Sequence, residues 1–171
     1  MKRATSKHKD HVKLRGMFRL QIEDGPTGKI VGDSGWHTNL ITNSGFLNMV
    51  NLIGTGLTGS QVAYGNVGTG GAPVGTDNVL AGEVPVAGAN SVKRQVLTAA
   101  TSSTSKTLHF TFTMASANSF ETASNNISNV GLFSTSGPVS TSGSLMQGQT
   151  YTSSALATNQ NVNISYDLVF S

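Results

Sequence analysis

Period-2 alternation constrains this chain more than any other feature. Leu14, Gly16, Phe18, Leu20 and Ile22 alternate with Lys13, Arg15, Met17, Arg19 and Gln21. Leu108, Phe110, Phe112 and Met114 alternate with Thr107, His109, Thr111 and Thr113. Val162, Ile164, Tyr166, Leu168 and Phe170 alternate with Asn163, Ser165, Asp167 and Val169. Successive side chains of a strand point to opposite faces, so these runs predict antiparallel strands with one dry and one wet face. The wet face of the first carries Lys13, Arg15 and Arg19, which suits an edge strand or a docking face.

Further strands are expected at 29–37, 91–97, 128–133 and 145–152, bounded by Gly, Ser, Thr and Asn. The first of these follows a Glu23-Asp24-Gly25-Pro26 turn and makes a hairpin with the leading strand. One helix is predicted. Asn43 or Ser44 can cap it, Phe46, Met49, Val50 and Ile53 recur at helical spacing, and Gly54 stops it. Together these segments read as an antiparallel β-sandwich, jelly-roll or Ig-like, with one short helix. A Gly-rich stretch at 54–88 shows no periodicity and is expected to be a functional or interface loop.

The charge is sparse and unevenly placed. Only 11% of the 171 residues are charged, against about 25% in ordinary soluble domains. Residues 1–19 hold seven cations and one acid, a net +6, while residues 20–171 hold four cations and seven acids, a net −3. The chain therefore divides into a basic arm, residues 1–12, and a single domain, residues 13–171, that is slightly acidic from residue 20 onward. Such arms bind nucleic acid or seat on an acidic protein surface. The candidate docking residues are Lys2, Arg3, Lys7, Lys9, Lys13, Arg15 and Arg19. From Thr98 to Ser128, 17 of 31 residues are Ser, Thr or Asn, so solubility there rests on hydroxyls and amides, as in extracellular or virion β-proteins.

There is no cysteine, which excludes disulfides, thiolate metal sites and Cys nucleophiles. The N-terminus lacks the apolar core of a signal peptide, and no stretch approaches the ~18 apolar residues of a membrane span. The expectation is a protein with no membrane partner and no cleavable secretion signal.

Catalytic strings occur but lack their contexts. Gly54 to Gly59 reads G-T-G-L-T-G, yet a dinucleotide site needs a strand before it and a helix after it; here a helix precedes. Gly32-Asp33-Ser34-Gly35 resembles a serine-protease nucleophile loop, but only His8, Asp10 and His11 of the arm lie upstream to serve it. A turn between two strands is the expected reading. Ser103 to Lys106 fits S-x-x-K, which opens a helix in acylating enzymes; this copy leads into a strand. His37 and His109 are isolated, with no carboxylate at ligand spacing. His37 is expected to pack or hydrogen-bond and His109 to lie on the surface. No catalytic, cofactor or metal residues are assigned.

The segment from Val67 to Glu83, VGTGGAPVGTDNVLAGE, resembles a pattern recurring in small tailed-bacteriophage virion proteins of tail, fibre or collar type. In those proteins a VGTG…TD…L…E loop precedes an I…VGLF segment and a final alternating strand ending in Phe. Here Ile127 to Phe133 and Val162 to Phe170 supply the later elements. Gly35 to Gly45 is similar to their W…N.ITN.G opening. The resemblance spans residues 29–171 and leaves the arm without a counterpart.

It implies a non-enzymatic virion subunit, assembled in the host cytoplasm, with other virion proteins as partners. A homo-oligomeric ring or trimer is the expected assembly. Gly68, Gly70, Gly71 and Asp77 are the candidate subunit-interface loop, because glycines let backbones approach closely and interface cores are depleted of charge. Alternatives are a capsid decoration or head-fibre protein, a genome-contacting protein using the arm for non-specific nucleic acid contact, and a carbohydrate receptor with Trp36, Tyr64 and Tyr151 as stacking platforms.

Overall fold

The computed structural model is described for residues 12–54, 61–84, 94–102, 104–116, 125–136 and 145–171. The three alternating runs are strands: β1 (Leu14–Asp24), β6 (Thr107–Met114) and β9 (Gln160–Phe170). The remaining elements are β2 (Ile30–Ile41), α1 (Asn43–Gly54), β3 (Tyr64–Gly68), β4 (Gln95–Val96), β5 (Thr98–Ser102), β7 (Asn125–Phe133) and β8 (Leu145–Leu156). The fold is mainly β with one helix, as the alternation predicts.

The described strands form one sheet in the order β4-β3-β7-β8-β2-β1-β9-β6-β5, antiparallel throughout. Two strands turn corners. In β2, Ile30 to Asn39 pair with β1, while Leu40 and Ile41 pair with β8. At the other side only Leu97 separates β4, paired with β3, from β5, paired with β6. The Leu97 N–H donates to the Ala63 carbonyl at 2.9 Å, holding the bend against the β3 side. The two ends of the sheet order are thus one stretch of chain, and the sheet curls into a nearly closed, barrel-like sandwich.

Register builds the interior in rows. Tyr166 pairs with Phe18 and Phe110, Ile164 with Leu20 and Phe112, and Val162 with Ile22 and Met114. Val67, Ile127, Val130, Leu132, Tyr151 and Leu156 close the core from the opposite layer. Phe18 sits amid rings, with centroids 5.5 Å from His37, 6.2 Å from Tyr151 and 5.7 Å from Tyr166. Each such apolar side chain removed from water stabilises the fold by about 1.5–3 kcal/mol.

Four sequence expectations change here. Within the expected loop at 54–88, Tyr64–Gly68 is a strand, paired with both β4 and β7. Its Gly65, Asn66, Val67 and Gly68 are all buried, so it has no wet face to alternate. The loop proper that is described runs from Thr69 to Val84, and residues 55–60 and 85–88 lie outside the described residues.

Second, residues 32–35 are not a turn between strands but an irregularity inside β2. The register jumps between Arg19↔Trp36 and Gln21↔Asp33. Ser34 Oγ fills the gap by accepting from the Leu20 N–H at 2.9 Å, and Gly35 adopts φ +69°.

Third, α1 is capped by Thr42 rather than Asn43 or Ser44. Thr42 Oγ1 accepts from the Gly45 N–H at 3.1 Å and donates to the Leu145 and Met146 carbonyls of β8.

Fourth, the stripe Phe46, Met49, Val50 and Ile53 does not face the body as a whole. Gly45 and Asn48 are the buried residues of α1, Met49 is half-buried, and Phe46, Val50 and Ile53 are exposed. A Cβ at Gly45 would lie 2.2 Å from the Met146 carbonyl oxygen. The helix therefore approaches β8 too closely for any face but its small one to turn inward.

Candidate functional site

Three surfaces carry the residues that the sequence singled out. The first is the outer face of β1. Lys13 and Arg15 are exposed there, while Lys2, Arg3, Lys7 and Lys9 lie outside the described residues. Arg19 is held down: its Nε donates to Asp33 Oδ1 at 3.0 Å and its Nη2 to Asp33 Oδ2. Arg19 first, and then the Gly35 N–H, hold the Asp33 carboxyl well below the usual carboxylate range. A guanidinium in a forked carboxylate pair is already neutralised, so Arg19 belongs to the β1–β2 hairpin more than to a docking face.

Lys13 and Ser171 exchange backbone hydrogen bonds at 2.6 and 2.9 Å, and Leu14 pairs with Phe170. Lys13 therefore lies beside the end of β9. Phe170 also lines a cavity of about 420 Å³ beneath α1. Its other walls include Met49 and Leu52 of the helix, Leu108 and Phe110 of β6, and Leu168 of β9; among the described residues no charged side chain lines it. The start of β1, the helix and the cavity lie at one end of the barrel.

The second surface is the Gly-rich loop. Its glycines serve contacts within the chain. A Cβ at Gly68 would come within 2.4 Å of Asn129 Oδ1, and one at Gly70 within 2.4 Å of the Ala81 carbonyl oxygen. Asn129 Nδ2 donates to the carbonyls of Gly71 and Ala81 at 3.1 and 2.9 Å. Asp77 accepts from the Val74 N–H at 2.8 Å, closing a turn, and Gly71 is exposed. The four residues proposed as an interface loop thus divide. Gly68 and Gly70 are explained by packing inside the chain, while Gly71 and the turn at Asp77 lie further out.

Beneath that loop lies a contact that sequence reasoning missed. Glu83 and Arg94 are both buried, with Arg94 Nε donating to Oε1 at 2.6 Å and Nη2 to Oε2 at 3.0 Å. The guanidinium carbon stands 3.5 Å from the Phe133 ring centroid, and Nη1 donates to the Thr135 carbonyl at 3.1 Å. Asn66 Nδ2 donates to Glu83 Oε1 at 3.0 Å. Leu80, Phe133 and Leu145 form a small second core alongside. The loop is thereby sealed over the outside of β3 and β7. One available signal was rarity: Arg94 is one of only four cations after residue 19.

The third surface is the outer face of β6 and β9. His109 Nδ1 lies 2.5 Å from Asp167 Oδ1, half-exposed, as register pairs the two residues directly. His109 is thus on the surface, as expected, but not isolated. Strand alternation places both side chains outward, though 58 residues separate them in sequence. His37 both packs and hydrogen-bonds, stacking on Phe18 and holding Nε2 2.7 Å from the Ser34 carbonyl oxygen. Ser34, bonded to Leu20 and Gly35, fills a backbone role. Ser103 lies outside the described residues. Of the suggested stacking residues, Trp36 is exposed, Tyr64 packs against the second core, and Tyr151 is buried.

Among the described residues there is no cluster of three or more His, Asp or Glu able to hold a metal, and no helix long and apolar enough to cross a membrane. No protein-family model, curated protein or solved structure matches the chain.

Proposed function

We propose that the chain is a non-enzymatic structural subunit of a bacteriophage virion, a tail, collar or fibre component that self-assembles and docks on a neighbouring acidic subunit through its basic arm. The observation that carries this reading is the division of charge. Residues 1–19 hold a net +6, of which +3 lies in the arm, residues 1–12, and +3 in Lys13, Arg15 and Arg19 at the start of the body, while residues 20–171 hold −3. Lys13 pairs beside Phe170, which lines a cavity with no charged side chain among the described residues. A docking arm gains from concentrated charge, since opposite charge steers association and fixes partner choice. A packing body gains from having little, because desolvating an unpaired ion at a contact is costly.

Deleting residues 1–12 tests the arm. The truncated chain is expected to fold with an unchanged circular-dichroism spectrum and melting transition, because backbone pairing begins at Lys13 and Leu14. It is expected to be missing from purified particles. Normal incorporation would overturn the docking role. Salt-dependent DNA binding by the intact chain, lost in the truncation, would move the arm from protein to genome.

A further inference from the structure

The exposed side of α1 is a ridge of large apolar side chains. Phe46 is 50% exposed, Leu47 62%, Val50 63% and Ile53 84%. Positions 46, 50 and 53 are four and three residues apart, so they line one face of the helix, with Leu47 beside Val50. All twelve residues of the helix, NSGFLNMVNLIG, are uncharged. Together the four form an exposed apolar patch on the order of a few hundred Å², the size of the largest such patch on a typical monomer.

Immediately beside this ridge the surface is concave. The cavity of about 420 Å³ lies under the other flank of α1, and Ile53 belongs to both its wall and the ridge. Its wall also includes the exposed residues Ala99 and Phe170. A convex apolar ridge and a concave apolar site of matching character thus sit side by side on one molecule. A surface carrying both knob and hole is self-complementary, the condition for contact between identical subunits.

The area agrees. A standard interface removes about 800 Å² from each partner, with a dry apolar core inside a polar rim. A ridge on the order of a few hundred Å² supplies such a core, with Asn43 and Asn51 of the same helix beside it and Gln61 in the cavity wall as polar rim.

We propose that this end of the barrel is the contact with a second copy of this chain, the α1 ridge of one copy seating against the α1 cavity of the other. This deepens the structural-subunit reading and rests on it for the expectation of self-assembly.

The test is the mass of the full-length chain by light scattering, up to about 100 μM, where a contact of moderate affinity is populated. Two variants are compared with the natural chain. Ile53→Asp puts a charge on the ridge, and Ala99→Trp fills the cavity mouth from an exposed position. Both positions are exposed, so both variants should fold, which circular dichroism checks. The natural chain is expected to be oligomeric, and each variant to weaken association by about tenfold or more. Trp36→Ser, on the outer face of β2, should leave it unchanged.

Oligomers that persist in both variants would overturn this contact and leave the virion reading standing. A monomeric natural chain would also overturn it, and incorporation into particles then decides the virion reading separately. Should a monomer bind the neutral fluorophore N-phenyl-1-naphthylamine one to one, with Ala99→Trp abolishing it, the cavity is a small-molecule site and the contact is overturned.

Discussion

Replacing Arg94 by Ala is expected to destabilise the protein by about 3–5 kcal/mol, the loss typical when one partner of a buried ion pair is removed. The reason is less the attraction lost than the charge stranded. Glu83 would remain buried with Asn66 Nδ2 as a neutral donor, and a carboxylate in that position is poorly solvated. The guanidinium's stacking on Phe133 and its bond to the Thr135 carbonyl disappear as well. Total stability of a domain is about 5–15 kcal/mol, so a fifth or more should vanish. Urea unfolding measures it. A double change, Glu83→Leu with Arg94→Met, removes both charges at similar volume and should recover most of the loss. Asn66 keeps an acceptor in that variant, since Nδ2 also donates to the Val84 carbonyl at 3.0 Å. A loss below about 1 kcal/mol in Arg94→Ala is what an exposed pair would give, and would mean that the loop does not seal this site.

The second large effect is alkaline. Burial pushes the Tyr151 and Tyr166 hydroxyls well above the ordinary tyrosine range, a hydrogen bond with Asn39 only partly offsetting it at Tyr166. Both groups stay protonated in the folded protein while the unfolded chain ionises near pH 10. Their contribution is fully present below about pH 10 and is lost as pH rises toward the folded values. Two such groups give a slope of about 2.7 kcal/mol per pH unit, or roughly 5 kcal/mol by pH 12. Unfolding monitored by tyrosine absorbance should therefore be cooperative in that range. Tyr151→Phe should halve the slope. It should cost nothing at pH 7, because that hydroxyl finds no hydrogen-bond partner among the described residues and an unsatisfied buried group is itself unfavourable. Gradual, non-cooperative titration of both tyrosines near pH 10 would contradict the packing described around Phe18.

How much of this was legible in the sequence depended on whether a residue has one environment or two. β1, β6 and β9 have a dry face and a wet one, so alternation located them to within a residue or two. β3 is covered on both sides by the core and by the Thr69–Val84 loop, and its Tyr-Gly-Asn-Val-Gly carries no alternation. The corner at Leu97 leaves no composition signal either, since it is defined by partners 30 and more residues away.

The helix was legible as a helix, but its orientation was inverted by contact distance. Gly45 lets the backbone meet β8, so the small side turned inward and the large apolar side was left outside. That reversal leaves the ridge at Phe46, Val50 and Ile53 exposed. The docking cations were legible as a cluster in sequence, yet Arg19 is taken up by Asp33, 14 residues on and across a register shift. The Glu83–Arg94 pair depends on two chain segments meeting over Phe133, and no spacing rule anticipates it.

Quantitative mass spectrometry of purified phage particles made from the genome encoding the chain tests its proposed place as a built-in part of the particle most directly. The chain is expected at a fixed copy number, retained through high-salt washing and density-gradient purification, with a few to a couple of dozen copies relative to the major capsid protein marking a tail, collar or fibre position. Hundreds of copies would instead mark a decoration of the head. Absence from particles, with the chain left free in the lysate, would contradict the account.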